Sequence, residues 1–202
     1  MPVLATLGVT LLRLVGERLE WSPAWFGRVA GGGLALVGIA WLAPIVGAWI
    51  GYQLGRAGLR PASLGRAVGV PLAALAVTFL VAAVGVRLEA GQTATGRLAA
   101  WGIASVIGVL MALAAWPALG RVLLIYAFAA RLPVAGIMWL AIDRRWGTHY
   151  DAAPPGFPAV PPLSRWLWTG LLPQTTIWIA WTVILGTLFG AVGYVLGAQR
   201  RA

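Results

Sequence analysis

With 202 residues, 60% of them hydrophobic and only 10% charged, this chain is too apolar for an ordinary soluble domain, which runs nearer half apolar and a quarter charged. Its net charge of +10 comes from fifteen Arg and no Lys against five acids, and the arginines stand singly between apolar stretches. That scatter excludes a nucleic-acid face and fits membrane topology and anionic headgroups, while the lack of Cys excludes a disulfide, a thiolate nucleophile and Cys-ligated metal.

Residues 1–28 open with VLATLGVTLLRLVGERLE, in which Leu12, Val15 and Leu19 share one helical stripe and Arg13, Glu17 and Arg18 take the polar side. The segment is too short and too charged to span, so it reads as an interfacial amphipathic helix lying on the membrane, with Trp21 and Trp25 at headgroup level. It lacks the basic n-region and cleavage site of a secretory signal, so the first true span is expected to direct insertion.

Four stretches contain no Asp, Glu, Lys or Arg: Val29–Gly55, Ala67–Val86, Leu98–Gly120 and Trp166–Gln199. A fifth, Val122–Ile142, is interrupted only by Arg131. Each reaches the roughly twenty apolar residues that cross a hydrocarbon core. The predicted spans are 29–55 (kinked at Pro44), 67–86, 98–118, 121–142 and 174–196, forming one bundle domain over 29–202. Trp101 and Trp116 stand about 22 Å apart along a helix, suitable for two interfacial belts. The stretch 146–165, WGTHYDAAPPGFPAVPPLSR, carries five prolines and reads as extended backbone lying over the bundle, followed by an interfacial Trp166-Leu167-Trp168. Four spans with a re-entrant 122–142 broken at Pro133 is the alternative.

With five spans, Arg13, Arg18, Arg28, Arg87, Arg97, Arg144, Arg145 and Arg165 face one side, and Arg56, Arg60, Arg66, Arg121, Arg200 and Arg201 the other. The count favours a cytoplasmic N-terminus, but the acid-free 56–66 loop and basic tail favour a cytoplasmic C-terminus, the orientation adopted here.

Arg131 is the leading functional candidate. A charge at mid-bilayer costs on the order of 3 kcal/mol on insertion scales, and no acid lies within any span to pair with it. Its partner is a backbone carbonyl freed by Pro133, a loop acid, a lipid phosphate or a bound anion; otherwise it snorkels to headgroups. The second candidate is the polar run beside Arg144 and Arg145: Thr148, the only histidine His149, Tyr150 and Asp151. His149 and Asp151 could act as general base and partner, or simply pin the loop. A metal is not expected from one His and one Asp, nor is a Ser-His-Asp device, and no cofactor is expected. Gly31-Gly32-Gly33 lacks the Lys-Ser/Thr of a phosphate loop. Gly47, Gly51 and Gly55, and Gly186 and Gly190, with Gly193/Gly197, permit close helix approach within the chain or between copies. Trp41, Trp178 and Trp181 lie deeper in the spans and could line a cavity.

The run Ala130-Arg131-Leu132-Pro133-Val134, then Trp146-Gly147-Thr148-His149-Tyr150-Asp151 and Pro154-Pro155, resembles a group of bacterial multi-pass membrane proteins with an A-R-x-P-V helix, W-G-T-H-Y-D and a proline-rich stretch. The resemblance covers roughly the C-terminal third and implies that the arginine and the loop belong together; it implies no activity.

The expectation is an all-α polytopic bundle of five transmembrane helices in a bacterial cell membrane, touching anionic lipids and other membrane subunits or itself, but no nucleic acid. The leading functional expectation is a non-enzymatic accessory or scaffold component. A small anion transporter or channel using Arg131, and a lipid-headgroup enzyme at His149 and Asp151, are the alternatives.

Overall fold

The computed structural model describes residues 1–32, 35 and 37–200, and every regular element among them is helical. The order is α1 (Pro2–Arg18), α2 (Leu42–Arg56), α3 (Leu64–Arg87), α4 (Ala94–Ala115), α5 (Pro117–Arg144), α6 (Pro162–Trp166), a π-helical turn (Leu167–Leu171), α7 (Leu172–Thr175) and α8 (Ile177–Gln199). Four helical stretches are long and apolar enough to cross a membrane: Leu64–Arg87, Ala94–Ala115, Pro117–Arg144 and Pro162–Gln199.

The structure changes the reading of α1. An interfacial helix would turn its charges to water, yet the buried residues here are Thr6, Thr10, Arg13, Gly16 and Glu17. The 4–3–4 spacing of Thr6, Thr10, Arg13 and Glu17 makes one stripe, with Gly16 beside it, which points into the protein. Leu4, Leu11, Leu12, Val15 and Leu19 point outward instead. Buried polar groups need partners, and α5 with the loop that follows it supplies them.

Nor is 29–55 one kinked span. Only 3₁₀ turns occur at Ala30–Gly32 and Ile39–Trp41 before α2 starts at Leu42. Four glycines among Gly27, Gly31, Gly32 and Gly38 disfavour helix there, and Gly31 has φ +73°. Pro44 falls in the first turn of α2, where its missing N–H has no intrahelical partner to lose, so it helps start the helix instead of kinking it. Gly33 lies outside the described residues.

α8 is the centre of the bundle. α2 runs parallel to it, Gly47 against Gly186 and Gly51 against Gly190, with Gly193 against Ala48 and Gly197 against Tyr52. A Cβ on Gly47, Gly51 or Gly193 would overlap backbone atoms of the facing helix. The glycine ladders are therefore an internal seam. On its other side α8 packs on α5, where Leu123 fills the space beside Gly186 and Leu119 that beside Gly190. α3 and α4 form an antiparallel pair capped by Ser63 and Thr93, whose hydroxyls accept from Arg66 N and Gly96 N. Trp116, at the α4–α5 turn, packs into the protein: it is 2% exposed and meets Tyr194 edge-on at 5.5 Å.

α5 continues for 28 residues through Pro133, so the re-entrant alternative fails. Neighbouring helices accommodate the lost hydrogen bond, as they commonly do in apolar bundles. The proline-rich connection remains irregular but ends sooner than expected, since Pro162 takes the first helical position of α6. Trp166 and Trp168 consequently lie within helix, and the Trp166 Nε1–H donates to Ala135 O at 2.8 Å. Trp41 stands at the surface of the bundle, 54% exposed.

Candidate functional site

Thr6, Thr10, Arg13, Glu17 and Thr148, five of the buried polar side chains, gather on one seam between α1, α5 and the loop after α5. It is built from the bottom up by threonine back-bonding. The Thr6 hydroxyl donates to Pro2 O at 3.0 Å and that of Thr10 to Thr6 O at 2.9 Å, so both satisfy themselves within the helix while facing inward. With its hydrogen committed to Pro2, Thr6 Oγ1 accepts from the Tyr126 hydroxyl of α5 at 2.7 Å. One turn further, Tyr150 OH donates to Thr10 O at 3.0 Å.

The charged end of the seam centres on Glu17, which is 1% exposed. Its carboxylate accepts from Arg13 Nε at 2.7 Å, His149 N at 2.8 Å and His149 Nδ1 at 2.5 Å. Arg13 also donates to Gly27 O at 2.7 Å, which ties down the chain after α1. Burial holds the His149 imidazole below the ordinary histidine range; the hydrogen bond to Glu17 opposes this and the Arg13 charge adds to it. His149 is thus neutral at physiological pH, with Nδ1–H donating to an ionised Glu17.

The Trp-Gly-Thr-His-Tyr-Asp run is the device that presents His149 and Tyr150 to α1. Arg145 ends α5 in the left-handed conformation (φ 53°) and Trp146 N closes onto Ala141 O at 3.1 Å. Gly147 follows at φ +69°, a region that suits glycine. Asp151 then folds the turn from within, accepting from Gly147 N at 2.9 Å, Thr148 N at 2.7 Å and the Thr148 hydroxyl at 2.8 Å. Arg165 NH2 holds the turn from behind through Asp151 O. Arg18 finishes the clasp, donating to Trp146 O at 3.1 Å with its guanidinium 6.0 Å from the Trp146 ring centroid.

Arg131 lies on α5 beyond Tyr126, facing α7 and α8, and is 4% exposed. No freed carbonyl and no acid takes it up. Its NH1 reaches Gln174 Oε1 only at 3.5 Å, and the guanidinium stands 4.9 Å from the Trp178 ring centroid. A desolvated cation–π contact is worth about 2 kcal/mol, which offsets much of the insertion cost of about 3 kcal/mol, and the long contact to Gln174 adds little.

Of the residues singled out in the sequence, the structure therefore joins Thr148, His149, Tyr150 and Asp151 in one turn, while Arg131 makes its contacts with Gln174 and Trp178. Pro133 lies two residues along α5 and contributes none of these bonds, and Arg144 and Arg145 are exposed and stand apart. His149 and Asp151 do not form a pair: the carboxylate on His149 is Glu17. Reading α1 as interfacial missed Thr6, Thr10, Arg13 and Glu17, although their spacing was a usable signal. The pairing of Gln174 and Trp178 with Arg131 had none. Among the described residues no group of three or more potential metal ligands occurs.

The fold and the seam together define an all-helical protein with four helices able to cross a membrane and a polar interior locked by its own side chains. Comparison with protein-family models, with curated proteins and with solved structures gives no match to this chain.

Proposed function

We propose that this chain is a non-enzymatic, multi-pass component of a membrane assembly, an accessory or scaffold subunit in a bacterial cell membrane. The observation that carries the reading is the state of Glu17 and His149: the groups best suited to acid–base chemistry are bonded to each other, with Glu17 wholly buried. Asp151 is likewise committed to its own turn. Used this way, the Glu17 and His149 side chains tie α1 to the loop after α5, which supports a structural role.

In the same reading α1 is embedded. Its 17 residues cover about 25 Å, it runs in the same direction as α5, and its outward face of leucines and valine meets lipid. Together with α2 it brings the bundle to six membrane-embedded helices, with both chain termini on one side. Anionic lipids and foreign subunits are the proposed partners, and the resemblance to A-R-x-P-V/W-G-T-H-Y-D proteins is part of the same proposal.

The test is gentle extraction from the native membrane and native mass measurement. Stoichiometric foreign subunits are expected; a lone monomer or homo-oligomer contradicts the reading. A second reading, an anion pathway through Arg131, draws on the absence of any carboxylate at that buried cation among the described residues. For a structural arginine, Arg131→Met keeps volume and is expected to leave stability unchanged or raise it by up to about 4 kcal/mol, as replacement of other buried charges by apolar groups does. If that variant folds and wild-type liposomes show an anion flux that it lacks, the second reading replaces the first.

A further inference from the structure

The outer side of α1 carries a groove of about 370 Å³ lined by Leu14, Val15, Leu19, the Trp146 ring and Arg18. Its floor is almost wholly apolar, and one cation stands at its rim. Arg18 is exposed and spends NH1 on Trp146 O. The end of α5 sets two further exposed arginines, Arg144 and Arg145, immediately before Trp146 in the chain. The nearby acids do not neutralise them: Glu17 is buried on Arg13 and His149, Glu20 faces Arg28 at 3.4 Å, and exposed Asp143 forms no ion pair among the described residues.

An apolar channel ending in uncancelled guanidiniums at the terminus of a membrane-length helix matches one kind of molecule, a lipid with an acyl chain and a negative headgroup. We infer that this groove seats an acyl chain of an anionic phospholipid, whose phosphate is held by Arg18 and drawn by Arg144 and Arg145. The inference rests on the proposal that the outer face of α1 lies against lipid. It adds a consequence: a bound lipid bridges α1 and the loop that clasps it, so the anionic headgroup stabilises the same docking as the Glu17–His149 contact.

The experiment uses the full chain in detergent micelles, with unfolding followed by tryptophan fluorescence as phosphatidylglycerol or phosphatidylcholine of identical chains is added. Phosphatidylglycerol is expected to raise Tm by about 5 °C more than phosphatidylcholine. Arg144→Gln/Arg145→Gln, at exposed positions that leave folding intact, is expected to remove most of that difference. Val15→Trp, which fills the groove without touching a charge, is expected to remove it as well. Equal shifts from the two lipids overturn the site, as does an unchanged difference in both variants. A shift reproduced by inorganic phosphate alone overturns the acyl seat. Failure of α1 to face lipid would show separately, as water-accessible labelling of its outer residues.

Discussion

Removing the Glu17 carboxylate is the sharpest perturbation this structure offers. Glu17→Ala deletes the acceptor of three hydrogen bonds and leaves Arg13, 6% exposed, without its carboxylate partner. Breaking one side of a buried ion pair costs about 3–5 kcal/mol, because the remaining charge stays desolvated. For a chain of 202 residues, at roughly 2–4 °C per kcal/mol, that is a fall in Tm on the order of 10 °C. Glu17→Gln keeps shape and an acceptor but not the charge, so about half that loss is expected. The double change Arg13→Met with Glu17→Leu removes both charges and is expected to be less damaging than Glu17→Ala alone. Thermal unfolding in detergent gives the magnitude, and limited proteolysis between α1 and α2 reports whether α1 has come away. A loss under about 1 kcal/mol, with α1 as protected as in the wild type, would refute the idea that this contact holds the helix.

Other consequences follow from the seam and the glycine packing. A Cβ at Gly51 meets the backbone of Gly190, so Gly51→Ala pushes α2 from α8 and is expected to cost about 2 kcal/mol or more, whereas Gly69→Ala on α3 enters open space and is expected to gain up to about 1 kcal/mol from helix propensity. Reversal of that order in unfolding midpoints would contradict the seam. Because His149 is held below its ordinary range, the folded state binds fewer protons than the unfolded chain just below the unperturbed value. The stability contributed by neutral His149 is full above about pH 6.5 and declines as pH falls from there through its lowered folded value. His149→Asn, whose amide imitates Nδ1–H, is expected to flatten this part of the stability-versus-pH curve; an unchanged slope would remove His149 as its source.

Charge-free length made α3, α4, α5 and the C-terminal helix legible in the sequence, since hydrocarbon-scale apolar runs have few alternatives. The first span failed because hydropathy does not register the helix-breaking of Gly27, Gly31, Gly32 and Gly38, and because Pro44 starts a helix as readily as it kinks one. The facing of α1 was misread for a different reason. Amphipathicity says which residues share a face but not which face meets the protein, and here partners on α5 and the loop turned the polar stripe inward. The loop's own hydrogen bonds run to α1, and Arg131 meets Gln174 and Trp178 instead. The identity of the carboxylate on His149 depends on a contact across 132 positions of chain, which no local pattern encodes.

The most direct measurement uses the absence of native cysteine. A single cysteine in place of Leu11, 54% exposed on the outer face of α1, is treated in intact membranes with a membrane-impermeant maleimide and then again after detergent solubilisation. The account predicts no labelling until the membrane is dissolved, because that face lies in lipid while Thr10, Arg13 and Glu17 face the bundle. Rapid labelling in intact membranes from either side would place the face in water and contradict the embedded α1 on which the proposed role of Glu17 and His149 depends.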